Sequence, residues 1–236
     1  QLAIDYLIDE IAFEKNDIVI DIGANIGELN LFLNSKDLDI NYHAFEPAPR
    51  EFQLLKLNNT FRNCKFYNIG LWHEKKELEY FVSSKDANSS LIAPPDYDYS
   101  IKINVDVLDN FNFKNKIKLI KLDSEGCEPE VLKGSIETLK ITEYVSVDTG
   151  FERGINQDNT INEVKEILTK YNFEIIKSNY EDRIIYLFKN KRFNSPIKEK
   201  NNKNHMNNIF CYFGQNGWGV KFYFICEALK KHIKIN

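Results

Sequence analysis

The chain has 236 residues, of which 43% are hydrophobic and 28% are charged, and its formal net charge is −4. This length and apolar content suffice for one sizeable core. The longest apolar runs fall short of about 18 residues, which argues against a transmembrane helix. The four cysteines lack CxxC spacing of the metal-binding type, so reduced thiols in a cytoplasmic protein are expected. Because the chain begins at Gln1, earlier removal of a signal peptide stays open.

Charge is unevenly distributed. From Lys191 onward nine basic residues stand against two acids, which leaves residues 1–190 with a net charge of −11. An acidic body argues against a nucleic-acid substrate. We therefore predict a domain over 1–190 and a basic, aromatic extension over 191–236 behind an Asn/Lys-rich linker. We expect the extension to fold back or to begin a further unit, and contact with a membrane surface is the lesser alternative.

The first predicted unit is a buried strand over Asp17–Ile22 and a helix over Glu28–Asn34, joined by a glycine turn. This arrangement is typical of a site for a nucleoside cofactor. Gly23 is expected to adopt a positive φ and to let the backbone approach a ligand. Gly27 is expected to let the start of the helix pack on the strand.

The residues of this turn bear on the kind of cofactor. A dinucleotide fingerprint reads Gly-x-Gly-x-x-Gly, but Asn25 stands at the second of those glycines. Asp21 at the strand end would repel a phosphate and can pair with an ammonium group. A ligand with an amino acid moiety and a ribose therefore fits better than NAD.

A second strand, Tyr42–Phe45, ends at Glu46-Pro47, about 20 residues further along the chain. An acid at that distance is placed to accept hydrogen bonds from ribose hydroxyls. A helix over Arg50–Thr60 and a strand over Lys65–Ile69 are predicted to follow.

The next segment departs from the strand-and-helix alternation. Strands are predicted over Glu77–Phe81 and Ile101–Val107, with the polar loop Ser83–Ser100 between them. Without an intervening helix they are expected to form an antiparallel insert. Residues 88–91 of the loop (Asn88, Ser89, Ser90 and Leu91) either close over a substrate or belong to an ordinary surface loop.

A further strand, Ile117–Leu122, leads into Asp123-Ser124-Glu125-Gly126. One helix is predicted to begin near Pro129, with an apolar face formed by Val131, Leu132, Ile136 and Leu139. Ligands of an open α/β sheet bind at the carboxyl ends of its strands, so Asp123 should converge with Asp21 and Glu46. A helix over Thr160–Lys170 and a terminal hairpin of Phe173–Lys177 with Arg183–Phe188 complete the domain.

Four segments of the chain resemble the FkbM family of S-adenosylmethionine-dependent methyltransferases: DIGANIG at 21–27, FEP at 45–47, NIGLW at 68–72 and KLDSEGCEPEVLKG at 121–134. The resemblance extends over roughly residues 15–190. It implies a class I methyltransferase fold, an α/β (Rossmann-like) three-layer sandwich whose mostly parallel sheet carries an antiparallel C-terminal hairpin. It also implies transfer of a methyl group from S-adenosylmethionine, usually to oxygen. SVDTG at 146–150 departs from the family, which more often has a Glu followed by a His.

The candidate cofactor-binding residues are Asp21, Gly23, Ala24, Asn25, Gly27, Glu46, Pro47 and Gly70. Asp123 is the first candidate for the group that holds or deprotonates an acceptor hydroxyl, and Glu125 is the second. Acids at a helix start also stabilise its dipole, which is the expectation for Glu128. Asp148 could join Asp123 on a divalent cation, but two acids are too few, and no metal is predicted.

The expected partner is a small-molecule or glycan acceptor. Two other functions stay open at this stage: a nucleotide-cofactor oxidoreductase, and a binding module that has lost catalysis. The missing second glycine at Asn25 counts against the first, and the presence of all three strand-end acids counts against the second.

Overall fold

The computed structural model describes residues 1–36, 38–60, 63–83, 89–181 and 183–193. The strands are β1 (Ile18–Ile22), β2 (Asn41–Phe45), β3 (Cys64–Tyr67), β4 (Gly70–Leu71), β5 (Lys76–Val82), β6 (Tyr99–Asp106), β7 (Ile117–Leu122), β8 (Thr142–Asp148), β9 (Phe173–Asn179) and β10 (Ile185–Asn190). The α-helices are α1 (Leu2–Asp5), α2 (Glu28–Asn34), α3 (Pro49–Asn58), α4 (Glu128–Lys133), α5 (Ile136–Lys140) and α6 (Ile161–Lys170). Short 3₁₀ turns cover Ile8–Glu10 and Leu108–Phe111.

Seven strands form the main sheet in the order β3-β2-β1-β7-β8-β10-β9. The pairs from β3 to β8 are parallel, and β10 runs antiparallel to both β8 and β9. Strand order reverses between β1 and β7, so the crevice at their carboxyl ends is where such sheets bind ligands. The predicted parallel sheet with an antiparallel terminal hairpin is confirmed.

Helices cover both faces of this sheet. One core cluster joins α1, α2 and α3 to the sheet through residues that include Ala3, Leu29 and Leu55. A second cluster joins α4, α5 and α6 through Val131, Leu139, Val164 and their neighbours. β7 and β8 are buried along their whole length, as expected for central strands covered on both faces, although β7 carries Lys118 and Lys121 and β8 carries Glu143. The chain thus forms the predicted three-layer sandwich.

The predicted insert is a separate three-stranded sheet in the order β4-β6-β5. β5 and β6 pair antiparallel, as the sequence indicates, and the two-residue strand β4, which the sequence did not reveal, pairs parallel to β6. Residues 84–88 of the connecting loop, including Asn88, lie outside the described residues. Ser90 is buried, and its Oγ donates to the carbonyl of Glu125 at 2.7 Å, which fixes the described end of the loop to the β7–α4 turn.

The prediction of one helix after β7 is wrong. Two short helices, α4 and α5, occupy this segment and are separated at Gly134 and Ser135. A Cβ at Gly134 would lie 2.1 Å from the carbonyl oxygen of Trp72, so the backbone here packs directly on the insert. Ser135 Oγ donates to the carbonyl of Val131 and ends the first helix.

The two glycines of the first turn do have positive φ, but what crowds them differs from the prediction. At Gly27 a Cβ would meet Asn59 and Leu55 at 2.0 and 2.7 Å, so the glycine admits α3 and not the strand. At Gly23, whose φ is 71°, a Cβ would lie 1.7 Å from the carbonyl oxygen of Asp123. Gly23 therefore brings the β1 turn against the end of β7.

Gly23→Ala is expected to destabilise the fold much more than Gly154→Ala. Both glycines have a positive φ, but a Cβ at Gly154 meets only Ile92, at 3.4 Å. The left-handed backbone costs a side chain about 1–2 kcal/mol at either position, and the clash at Gly23 adds roughly 1–3 kcal/mol. Urea unfolding of both variants measures the difference, and equal losses would mean that the contact with Asp123 relaxes freely.

The predicted extension over 191–236 lies outside the described residues from 194 onward, so the division into two domains stays a prediction. None of the helices in the described part of the chain combines the length and apolar character needed to cross a bilayer.

Candidate functional site

The carboxyl ends of β1, β2 and β7 meet at one edge of the sheet. Gly23 and Ala24 donate their backbone N–H groups to the carbonyl of Phe45 at 3.1 Å each, and Asp123 donates its own to Ile22 at 3.1 Å. The three segments that the sequence predicted to converge are thus hydrogen-bonded to one another.

Glu46 connects the end of β2 to the glycine turn. Its Oε2 accepts the N–H of Asn25 and its Oε1 accepts the N–H of Ala48, both at 2.8 Å. The side chain is buried, and burial raises its pKa to about 7 although these two bonds favour the charged form. Asn25 supports this geometry with a φ of 50°, a conformation that Asn tolerates better than most residues. Pro47 follows in a half-buried position, with its carbonyl accepting from Asn68 Nδ2 at 3.0 Å.

Asp21 lies beneath the turn and is enclosed by protein groups. Tyr42 donates its hydroxyl to Oδ2 at 2.5 Å, and the ammonium group of Lys121 lies 3.3 Å from Oδ1. Lys121 also donates to the carbonyl of Gly23 at 2.8 Å. The ammonium beside Asp21 is therefore that of Lys121, and the structure assigns Asp21 a supporting role under the turn that the sequence did not anticipate.

Gly70 lies apart from these groups, in strand β4 of the insert. A Cβ there would approach Val105 and Ile103 at 3.0 and 3.2 Å, so its packing partners belong to β6. The neighbouring Asn68 does reach the site, since its Nδ2 donates to the carbonyl of Glu46 at 2.9 Å.

Asp123 is held on one of its two oxygens. Its Oδ2 accepts the hydroxyl of Tyr6 at 2.5 Å and lies 3.4 Å from the guanidinium of Arg183 and 3.6 Å from Lys121. Burial acts to raise the pKa of Asp123, but Lys121 and Arg183 outweigh it and hold that pKa below the usual range. Its Oδ1 is buried and accepts no hydrogen bond in the described part of the chain.

The pKa values of Glu125 and Glu152 are shifted upward, opposite in direction to that of Asp123. Burial, with the charge of Asp123 second, raises the pKa of Glu125 well above its ordinary value. Burial together with the charges of Asp148 and Asp123 raises the pKa of Glu152 to about 9. The electrostatics of the site thus favour the ionised form of Asp123 and disfavour the ionised forms of Glu125 and Glu152.

Asp148, at the end of β8, is a further acid of the site. Its Oδ2 accepts from Arg183 at 2.8 Å, and its Oδ1 accepts the N–H of Gly150 at 2.9 Å. Burial raises the pKa of Asp148, with the charge of Asp123 next in effect. Arg183 therefore bridges Asp123 and Asp148, the acids of two neighbouring strand ends.

Three residues of the site escaped the sequence analysis: Tyr6, Arg183 and Glu152. Tyr6 follows the four-residue helix α1, and its carbonyl accepts from Ser146 Oγ at 2.5 Å. Nothing local in the sequence marks it. Glu152 lies four residues after Asp148, so a search of the loop after β8 for acids would have found it.

Glu128 is a structural residue of the turn, as expected. Its Oε1 accepts the N–H of Ser124, the hydroxyl of the same residue and the N–H of Gly126 at 3.0 to 3.1 Å. Its Oε2 accepts the hydroxyl of Thr160 at 3.0 Å. The carboxylate thus holds the Ser124–Gly126 turn in shape and ties it to the start of α6.

Burial raises the pKa of Glu128 to about 7, from which a pH effect on stability follows. Between its usual pKa and pH 7 the folded chain binds more protons at Glu128 than the unfolded chain, so its contribution to stability falls as pH rises. Glu128→Gln has no such titration, and its amide can still accept at Oε1 and donate to Thr160. The unfolding free energy of the variant should therefore gain on the wild type by about 2–3 kcal/mol between pH 5 and pH 8. Urea unfolding at both pH values measures this, with the exposed Glu166→Gln as the control; a constant difference would contradict the prediction.

Known proteins agree with this architecture. The Methyltransferase FkbM domain family matches residues 21–175. Methyltransferase 1 of Beauveria bassiana is 27% identical over 161 residues, covering 57% of this chain and 64% of that protein. Hexuronic acid methyltransferase AglP of Haloferax volcanii is 28% identical over 175 residues, covering 73% of this chain and 70% of that protein. Among solved structures, a protein in the NADB-Rossmann superfamily from Streptococcus agalactiae superposes with a TM-score of 0.50 at 16% identity, covering 83% of this chain and 72% of that one.

The strand order, the antiparallel β10 and the acids at the ends of β1, β2 and β7 define a class I methyltransferase fold. Within that class, the chain belongs to the FkbM methyltransferase domain family, whose match covers most of the described domain.

Proposed function

We propose that this chain is an S-adenosylmethionine-dependent O-methyltransferase that acts on a hydroxyl group of a sugar or another small metabolite. The observation that carries the proposal is the bond from Asn25 N to Glu46 Oε2 at 2.8 Å, which joins the acid after β2 to the glycine turn after β1. An acid fixed beside such a turn is suited to a ribose. The relative AglP, named as a hexuronic acid methyltransferase, supports a sugar acceptor.

The residues of the described site fit S-adenosylmethionine. Glu46 offers carboxylate oxygens for ribose hydroxyls, and Gly23, Ala24 and Asn25 form the turn that would face the rest of the cofactor. Asp21 acts from below through Lys121, which holds the carbonyl of Gly23. When bound, the cofactor would supply an electrophilic methyl group on its sulfonium sulfur.

The chain's own contribution lies in holding the acceptor. Oδ2 of Asp123 accepts the hydroxyl of Tyr6 and lies beside the cationic groups of Arg183 and Lys121. Oδ1 is therefore able to accept a hydrogen bond from an acceptor hydroxyl. A lowered pKa keeps Asp123 ionised at neutral pH, so it is always ready to accept that bond and to receive the proton as the oxygen attacks. Because a carboxylate of low pKa is a weak base, most of the rate gain is expected from positioning.

Calorimetric titration of the purified chain with S-adenosylmethionine, S-adenosylhomocysteine and NAD tests the cofactor. We expect the first two to bind at a ratio of one per chain and NAD not to bind. Binding of NAD alone would overturn the proposal in favour of an oxidoreductase. If the first two bind, screening of sugars and sugar acids for methyl transfer with labelled cofactor then identifies the acceptor.

A further inference from the structure

Three carboxylates from separate segments meet beside the proposed acceptor position. Asp123 comes from the end of β7, Glu125 from the turn that follows, and Glu152 from the loop between β8 and α6. Among the described residues, one oxygen of each lies within 4.8 Å of one oxygen of each of the others. The sequence paired Asp123 with Asp148, which made too few acids for a cation site. In the structure Asp148 Oδ2 accepts from Arg183, and Glu125 and Glu152 are the acids that join Asp123.

Two oxygens of this cluster are buried without any hydrogen-bond partner in the described part of the chain: Oδ1 of Asp123 and Oε2 of Glu125. The nearby cationic groups of Lys121 and Arg183 lie beside the other oxygen of Asp123, Oδ2, at 3.6 and 3.4 Å. A buried carboxylate oxygen without a partner is costly, and native structures rarely keep one without a reason. A cation would satisfy both oxygens at once, and this is the observation, beyond the acid cluster itself, that points to a ligand.

We propose that Asp123, Glu125 and Glu152 bind a hard divalent cation, such as Mg²⁺, Mn²⁺ or Ca²⁺. Each oxygen–oxygen separation is at most 4.8 Å. Opposite oxygens in a calcium shell lie about 4.6–5.2 Å apart and those in a magnesium shell about 4.2 Å apart, so three oxygens within this limit can converge on one such cation with a small adjustment of their side chains. Three ligands of oxygen type leave further coordination positions for water and for an oxygen of the acceptor.

The cluster is also accessible from solvent. Glu152 is only half-buried. The base of its loop is held in place by Arg153, which donates to both oxygens of Glu130 at 2.7 and 2.8 Å. A cation can thus approach through Glu152 while Asp123 and Glu125 stay fixed beneath it.

This inference rests on the proposed function for its purpose, since a bound cation would polarise the acceptor hydroxyl. Oδ1 of Asp123 has two lone pairs, so it can bind the cation with one and face the acceptor hydroxyl with the other. The binding of the cation itself does not depend on that purpose. The alternative counter-charge is a proton on Glu125 or Glu152, and direct metal titration separates the two.

The test is titration of the chelator-treated full chain with Mn²⁺, followed by electron paramagnetic resonance, and with Mg²⁺ and Ca²⁺ in competition. We expect one Mn²⁺ per chain with a Kd below about 1 mM. Glu152→Gln should weaken binding at least tenfold, Glu125→Gln should do the same, and the exposed Glu166→Gln should leave it unchanged. Circular dichroism and thermal unfolding identify any variant that fails to fold, and the two ligand variants back each other up.

Absence of stoichiometric Mn²⁺ binding, or equal binding in the wild type and both ligand variants, would overturn the inference. Titration of the same samples with S-adenosylmethionine keeps the two proposals apart. A chain that binds the cofactor but not Mn²⁺ retains the proposed function without the cation. A chain that binds Mn²⁺ but not the cofactor keeps the cation site and loses the proposed function.

Discussion

Asp123→Asn should lower kcat by about 10²–10⁴-fold while the cofactor binds as in the wild type. The amide can still accept the hydroxyl of Tyr6, but it cannot take a proton from an acceptor hydroxyl. The substitution also removes the negative charge that forms ion pairs with Arg183 and Lys121. Steady-state kinetics at saturating cofactor, together with calorimetric cofactor titration, measures the two effects separately.

The matched control is Asp39→Asn, the same chemical change at an exposed residue. Asp39 has a φ of 48°, which Asn also tolerates, and its exposed side chain forms an ion pair with the exposed Lys15. Its kinetics should equal those of the wild type. Equal loss of cofactor affinity and of kcat in Asp123→Asn would show that Asp123 belongs to the cofactor site and would remove it as the acceptor group.

Glu46→Gln should have the opposite profile, with cofactor affinity reduced about 10–100-fold and kcat at saturating cofactor changed only slightly. Both carboxylate oxygens accept backbone N–H groups, from Asn25 and Ala48, and an amide can accept only one of them. Loss of a hydrogen bond to a charged group corresponds to roughly 1.5–3 kcal/mol. Calorimetric titration gives the affinity, and Glu166→Gln serves as the matched control on an exposed helix face.

The pH dependence of binding provides a second readout on Glu46. Because burial raises its pKa to about 7, the wild-type residue gains its charge, and with it acceptor strength towards ribose hydroxyls, as pH rises from 6 to 8. Cofactor affinity of the wild type should therefore increase over this range, and that of Glu46→Gln should not. The same increase in both proteins would place the titrating group elsewhere.

Secondary structure followed from sequence wherever local pattern and tertiary environment agree. The bounds predicted for α2 and β7 match the structure, because one is a leucine-rich helix behind a glycine and the other is a strand of isoleucines and leucines interrupted by two lysines. Failure came after β7, where the apolar period of one helix runs across Gly134. There the close approach of the Trp72 backbone, which belongs to a distant segment, divides the helix in two.

The sequence likewise predicted one part of the site, the acids at the strand ends, and did not predict their partners. Asp21, Glu46 and Asp123 each follow a recognisable strand, and the edge rule for parallel sheets brings them together without further information. The partners of Asp123 were not predictable, since Tyr6 and Arg183 are 117 and 60 residues away in sequence. The protein ammonium beside Asp21 was missed because Lys121 was interpreted as part of a motif and not as a buried charge.

The sequence by itself determined most of the strands of the main sheet, the glycine turn and the acids at three strand ends, because each depends on residues within one short segment. Only the tertiary structure decided which oxygen of Asp123 has no hydrogen-bond partner among the described residues. It also decided that Glu152 lies beside Asp123. That outcome depends on burial and on cations contributed by β7 and by the loop before β10, and no local pattern encodes either. The electrostatics of the site thus depend on the tertiary structure, whereas the positions of its strand-end acids can be predicted from the sequence.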